Sequence, residues 1–206
     1  MKKICAFICV IVCVFISACS SAPRVKRVDA GTQTDLSGHW NDTDVRIVCE
    51  SLIKSAISSP RIDAYIKEYS AKNKGALPAV IVGRFRNTSS EHIDMRLIAS
   101  LMRTAIINSG KLEFVEGGNV RDEIRAEREN QLYNASDSTA AAIGKEIGAN
   151  FMLTGEVNSM EEKAGNVTQR VYFVKATITN IETNRIIWED ENSEIKKIIK
   201  QPKVKL

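Results

Sequence analysis

Cys19 is the residue whose surroundings in this chain best fit a chemical reaction. It closes the run Ile16-Ser17-Ala18-Cys19, behind Lys2, Lys3 and an uninterrupted apolar stretch over residues 4–16. A basic end, a short apolar segment and small residues before a cut have the layout of a secretory signal. The cysteine placed after the small residues makes it resemble a bacterial lipobox. In such signals the thiol takes a diacylglyceryl group, the chain is cut before the cysteine, and the new amino group is acylated. Thirteen apolar residues rise only about 20 Å as a helix, short of the roughly 30 Å of bilayer hydrocarbon. Lipid attachment at Cys19 is therefore expected rather than a spanning helix. Two or three acyl chains, at about 0.8 kcal/mol per buried methylene, anchor stably where one exchanges.

The other reactive residue types lack the company that chemistry needs. His39 and His92 are the only histidines, and neither has Cys or His at a ligand spacing, so no metal is expected. Ile143-Gly144-Lys145-Glu146 lacks both the upstream glycine of a phosphate loop and the Ser or Thr after its lysine. No Gly-x-Ser-x-Gly elbow occurs. Glu189-Asp190-Glu191 could form a carboxylate pair, but nothing apolar beside it would raise a pKa, and it reads as a solvated strand end. The alternating charges of residues 121–129 suit a water-facing helix or a docking surface. These absences point away from an enzyme and from any cofactor, and towards a tethered binding or structural domain.

Removing residues 1–18 as a signal peptide leaves Cys19–Leu206, long enough for one domain with a real core. The remaining Lys and Arg outnumber the acids by only two, no excess that would suit nucleic acid. Cys5, Cys9 and Cys13 leave with the signal, so Cys49 is the one thiol of the folded part and no intramolecular disulfide can form. Residues 19–37, poor in apolar side chains and holding Pro23 and Gly31, read as a tether. Its eighteen residues after Cys19 reach at most about 60 Å. A globular domain over 38–195 and a frayed basic tail over 196–206 complete the chain.

Within the domain, Val45, Val48, Cys49, Leu52, Ile53 and Ala56 form one apolar stripe, predicting a helix over 42–57 capped by Asn41 and stapled by Trp40 against Val45. Ser59-Pro60 starts a second helix with Ile62, Tyr65, Ile66 and Tyr69 inward. Residues 79–85 are apolar on both alternations except Arg84, as in a central strand covered on two faces. The polar loop 87–90 caps a helix that turns Leu97, Ile98, Leu101, Met102, Ala105 and Ile106 inward and stops at Gly110. A short strand over 112–115, a charged helix over 119–129 and a helix from Asp137 to Gly148 follow. The chain then changes to period two, with hairpins turning at Gly165-Asn166 and Thr183-Asn184. These elements predict an α/β fold: a mixed sheet of about five strands packed against helices, closed by an antiparallel meander.

Trp40-Asn41-Asp42-Thr43-Asp44, Val80-Ile81-Val82-Gly83, the stretch Asn87-Thr88-Ser89-Ser90-Glu91-His92-Ile93-Asp94 and Asn150-Phe151-Met152-Leu153-Thr154-Gly155-Glu156 together resemble, in order and spacing, the LpoB family of penicillin-binding protein activators. The resemblance spans about residues 36–194. It implies a lipoprotein whose domain docks on a bifunctional, class A penicillin-binding protein and stimulates glycan polymerisation and cross-linking. It also implies regulation by contact, with no catalysis of its own. Better-studied members have a longer tether. Leu153-Thr154-Gly155-Glu156 is also similar to curli-secretion channel lipoproteins and to the N-terminal domain of TolB, so a channel-like or general envelope-assembly role stays open. Ser20 after Cys19 resembles outer-membrane sorting, which places the domain in the periplasm. Arg84, Arg86, Asn87 and His92 fall around the carboxyl end of the first strand, where open α/β sheets present their sites, and are the expected partner-binding residues.

Overall fold

A computed structural model of the chain describes residues 26–29, 31–134 and 147–202. The chain divides between Thr32 and Gln33. In the first unit, the Gly31 N–H donates to Asp29 Oδ1 at 2.7 Å, and no regular element occurs among the described residues. The expected signal segment, with residues 19–25 and 30 of the expected tether, lies outside the described residues. The unit from Gln33 onward carries all the regular elements found among the described residues.

Helix α1 (Asp42–Ile57) begins where its sequence dictates. Asn41 Oδ1 accepts from the amides of Thr43 and Asp44, and the Asp44 carboxylate accepts in return from the Asn41 amide at 2.9 Å. Amides left without intrahelical partners are thereby satisfied reciprocally. Val45, Val48, Cys49, Leu52 and Ala56 are buried along one stripe. Helix α2 (Pro60–Lys72) carries its proline in the first turn, and Ile62 is its only fully buried residue. Tyr65 of α2 meets Phe151 edge-on, with ring centroids 6.0 Å apart.

Strand β1 (Ala79–Asn87), helix α3 (Met95–Ser109), the two-residue strand β2 (Glu113–Phe114) and helix α4 (Gly118–Asn134) come next. Asp94, not the polar loop before it, caps α3 by accepting from the Arg96 amide, and Gly110 ends the helix at φ 65°. Met95, Ile98, Met102 and Ile106 are buried, whereas Leu97 and Leu101, expected inward, are exposed. They flank the buried stripe on a helix that covers the sheet with one face only. The helix expected over 137–148 falls mainly outside the described residues; residues 147–149 have no regular structure.

Strands β3 (Phe151–Ala164), β4 (Val167–Asn180), β5 (Ile186–Asn192) and β6 (Lys196–Lys200) complete a six-stranded mixed sheet ordered β2-β1-β3-β4-β5. β1 is parallel to both its neighbours, and the β3–β4–β5 meander is antiparallel. The expected frayed tail instead supplies β6 over its first five residues, which pairs with β4 beyond the end of β5. Its pairing holds because Ile199 packs where Gly38 lacks a side chain and Lys197 meets two carboxylates.

The core lies between one face of the sheet and α1 and α3: Leu153, Val157, Val174, Ala176 and Ile178 against Val48, Leu52, Ile98 and Met102. Among the described residues no helix or second sheet layer packs over the other face as α1 and α3 do over this one, which is less cover for β1 than its composition suggested. Only Ala79 and Val80 of β1 are fully buried.

Candidate functional site

Arg84 owes its position to a bulge. Val80 and Val82 pair with Phe151 and Leu153, whose side chains point into the core. Strict alternation would send Arg84 the same way. Between Val82 and Phe85, however, β1 uses three steps where β3 uses two, pairing Phe85 with Gly155. One extra residue reverses the phase. Phe85 returns to the covered side, and Arg84 and Arg86 emerge on the open face. Gly155 makes the exchange sterically possible, because a Cβ there would overlap the Phe85 ring.

The open face around these arginines is a shallow cleft of about 410 Å³ lined by Arg84, Arg86, Thr154, Glu156, Lys175 and Thr177. Register places Arg86, Glu156, Lys175 and Glu191 in one row across four strands, alternating in sign. Arg86 donates to Glu156 at 2.7 Å. In the row below, Thr177 donates to Glu189 at 3.0 Å. The three-carboxylate segment of the sequence is thus two outward glutamates flanking a half-buried Asp190. Among the described residues neither Arg84 nor Lys175 of this cleft has an ion-pair partner, and Arg84 is the guanidinium of the two.

Asn87 and His92 do not join this cleft. Asn87 Nδ2 donates to the Glu91 carbonyl, and its Oδ1 accepts from the Ser89 amide and hydroxyl, so its side chain shapes its own loop. His92 is exposed farther along that loop.

The carboxyl end of β1 is closed by a charge network that the sequence did not suggest. Glu91, with a side chain only 9% exposed, accepts from the Trp40 amide at 2.9 Å and the Tyr172 hydroxyl at 2.9 Å, and lies 2.5 Å from Arg170. His39 Nδ1 is 3.1 Å from the same carboxylate. Arg170 also donates to Glu161 at 2.6 Å and to the Gly38 carbonyl at 2.8 Å. Beside it, Lys197 bridges Asp44, Asp35 and the His39 carbonyl. Burial opposes ionisation of Glu91, but hydrogen bonds from the Trp40 amide, Tyr172 and His39, with the Arg170 charge, hold its carboxyl below the ordinary range. Burial, reinforced by its hydrogen bond to Glu91, pushes the Tyr172 hydroxyl up. Trp40 packs edge-on against Tyr172 at 5.1 Å, with its Nε1–H buried and unpartnered among the described residues. The network fastens residues 35–44 to the sheet. Its parts are far apart in sequence, and the Trp-Asn-Asp run near one end was its only trace.

Cys49 is buried, and burial, then the Glu50 charge, pushes its thiol up to about 11, which suits packing rather than attack. Among the described residues no cluster of three or more His, Cys, Asp or Glu could hold a metal, and no helix is long and apolar enough to cross a membrane.

Residues 44–194 match the family model described as peptidoglycan-synthase activator LpoB. The chain belongs to the LpoB family. No curated protein sequence matches it. Among solved structures, the LpoB C-terminal domain from Salmonella enterica is 15% identical, with 77% of this chain and 99% of that one covered at a TM-score of 0.40. The NMR structure of E. coli LpoB is 14% identical, with 90% and 86% covered at 0.39. The lipoprotein GNA1162 from Neisseria meningitidis is 13% identical, with 59% and 83% covered at 0.36. The matched stretch takes in the bulge, the cleft and the Glu91–Arg170 pair, so these belong to the LpoB-family domain itself. Asp35, Gly38, His39 and Trp40 precede it.

Proposed function

We propose that this chain is a periplasm-facing lipoprotein, held in the outer membrane by acyl groups on Cys19, that binds a class A penicillin-binding protein and activates it by contact. The observation that carries this reading is the family match over residues 44–194, within a family of peptidoglycan-synthase activators. The run Ile16-Ser17-Ala18-Cys19 supports the anchor. The domain does no chemistry of its own and has no cofactor. It acts by preferring the synthase's active conformation over its resting one. A preference of about 1.4 kcal/mol shifts that equilibrium tenfold.

The open face around Arg84 and Arg86 is the contact, and a carboxylate on the synthase is the partner for Arg84. An exposed guanidinium with no internal partner has little to lose on binding and two parallel donors to offer. Asn87 holds the adjoining loop in shape, and His92 stands at its margin. The test is glycan polymerisation by the organism's class A synthases with the mature chain carrying Cys19→Ala. Stimulation is expected from at least one of them. Arg84→Glu should raise the concentration for half-maximal stimulation about tenfold, or about 1.4 kcal/mol. Absence of binding and stimulation with every class A synthase would overturn the function. Stimulation indifferent to charge reversal at Arg84 and Arg86 would move the contact elsewhere.

A further inference from the structure

The most exposed large apolar side chains in the unit from Gln33 onward, among its described residues, are Leu36 at 93%, Met160 at 64% and Ile198 at 61%. Met160 and Ile198 share the open face at one end of the sheet, and Leu36 adjoins the same end from the covered side. Leu36 and Ile198 each adjoin a partner in the Asp35–Lys197 ion pair of 2.8 Å. Met160 pairs with Val171, which pairs in turn with Lys196 of β6. On the open face, Phe173 and Val171 lie half-buried beside Met160, and Lys196 and Lys200 stand exposed along the edge. Glu162 is the one carboxylate in those rows. The neighbouring acids Glu161 and Asp35 are already engaged by Arg170, Lys163 and Lys197.

This is also the end where the tether enters. Asp35 is fixed to Lys197, and the sixteen residues back to Cys19 span at most about 55 Å. We infer that this apolar patch with its lysine edge rests on an anionic phospholipid surface, the leaflet that holds the acyl chains of Cys19. The inference rests on the lipid-anchor reading. Side chains this exposed gain little from the folded domain, but they can enter the interfacial layer while lysines meet headgroup phosphates. A short tether keeps the patch at high local concentration near the leaflet, so a weak surface contact suffices. The Arg84 cleft lies on the same face, Glu156 and Met160 being four residues, about 13 Å, apart along β3, so the domain stands on this end, rather than lying on its open face, when the cleft is accessible.

The experiment is flotation of the mature chain carrying Cys19→Ala with vesicles of phosphatidylglycerol and phosphatidylethanolamine in equal parts, and with phosphatidylcholine vesicles. The chain should partition onto the anionic vesicles and much less onto the zwitterionic ones. Met160→Asp with Ile198→Asp should lower that partition at least tenfold with unchanged thermal unfolding, since both side chains are exposed. Lys196→Glu with Lys200→Glu should abolish the preference for phosphatidylglycerol. No partition of the Cys19→Ala chain, or equal partition of the double aspartate variant, overturns the inference. So does an aspartate variant that keeps its vesicles but loses its synthase, because the patch is then a protein contact. Fatty-acid labelling of the unaltered chain separates the two readings: label with no vesicle binding leaves the anchor standing, and absence of label removes the anchor itself.

Discussion

Arg170→Met tests whether the network around Glu91 holds the domain together. The arginine side chain is 11% exposed and spans Glu91, Glu161 and the Gly38 carbonyl. Methionine preserves much of the apolar stem and removes the charge. Glu91 would keep its hydrogen bonds from the Trp40 amide and Tyr172 but lose its counter-charge, and Gly38 would lose a donor. Removing one member of a buried pair costs about 3–5 kcal/mol, because the other stays desolvated. In a domain of this size each kcal/mol is worth about 2–4 °C, so the melting temperature should fall by about 6–20 °C. Circular dichroism of the soluble Cys19→Ala chain measures this, and limited proteolysis should show new cleavage over residues 33–40. Adding Glu91→Gln should recover part of the loss, because a neutral amide is cheaper to leave without a counter-charge. A loss below about 1 kcal/mol, the value of a solvated surface pair, would refute the reasoning.

The same network sets a pH dependence. The carboxyl of Glu91 is held below its unfolded value of about 4.3, so its stabilisation is full above that pH and is lost as pH falls through the folded value. The melting temperature should therefore drop below about pH 4, and less steeply in Glu91→Gln. Cys49, buried with its thiol pushed up to about 11, should resist maleimide at pH 7 until the protein is denatured. Gly155→Ala should cost about 1–3 kcal/mol in thermal unfolding, because the new methyl group meets the Phe85 ring across the strands.

Much of this fold was legible because its signals are local. The cap at Asn41, the stripe Val45–Val48–Cys49–Leu52–Ala56 and the proline opening α2 each reside within a few residues, and the structure reproduces them. The turns at Gly165 and Asn184 lie at positive φ, as their residue types suggested. What misled was composition without phase. Residues 79–85 read as doubly covered because a bulge is invisible in hydrophobicity, and Arg84 looked like an interruption when it marks the point where the alternation reverses. Lys196–Lys200 looked frayed because lysine outnumbers isoleucine, yet Ile199 has a glycine to pack on and Lys197 a pair of carboxylates. Those partners stand at the opposite end of the domain's sequence, out of reach of any local pattern. The Glu91–Arg170 network was hidden for the same reason.

That network also bears on where the domain can make contact. Open α/β sheets usually offer the carboxyl ends of their strands, and Asn87 and His92 were expected to serve there. In this chain Trp40 and His39 occupy that end of β1, held by Glu91, so the segment before α1 fills the place a ligand would take. The available surface is displaced onto the face of the sheet, where the bulge delivers Arg84 and Arg86. Residues 35–37, expected within a tether over 19–37, adjoin the domain, since Asp35 is bonded to both Asn41 and Lys197. Peeling residues 35–44 from the sheet would break the Trp40 amide–Glu91 and Arg170–Gly38 hydrogen bonds and the Asp44–Lys197 ion pair, and would lift Trp40 off Tyr172. On the proposed reading, with Cys19 as the anchor, any reach beyond the extended length of residues 19–35 would come from the domain's own dimensions or from the partner.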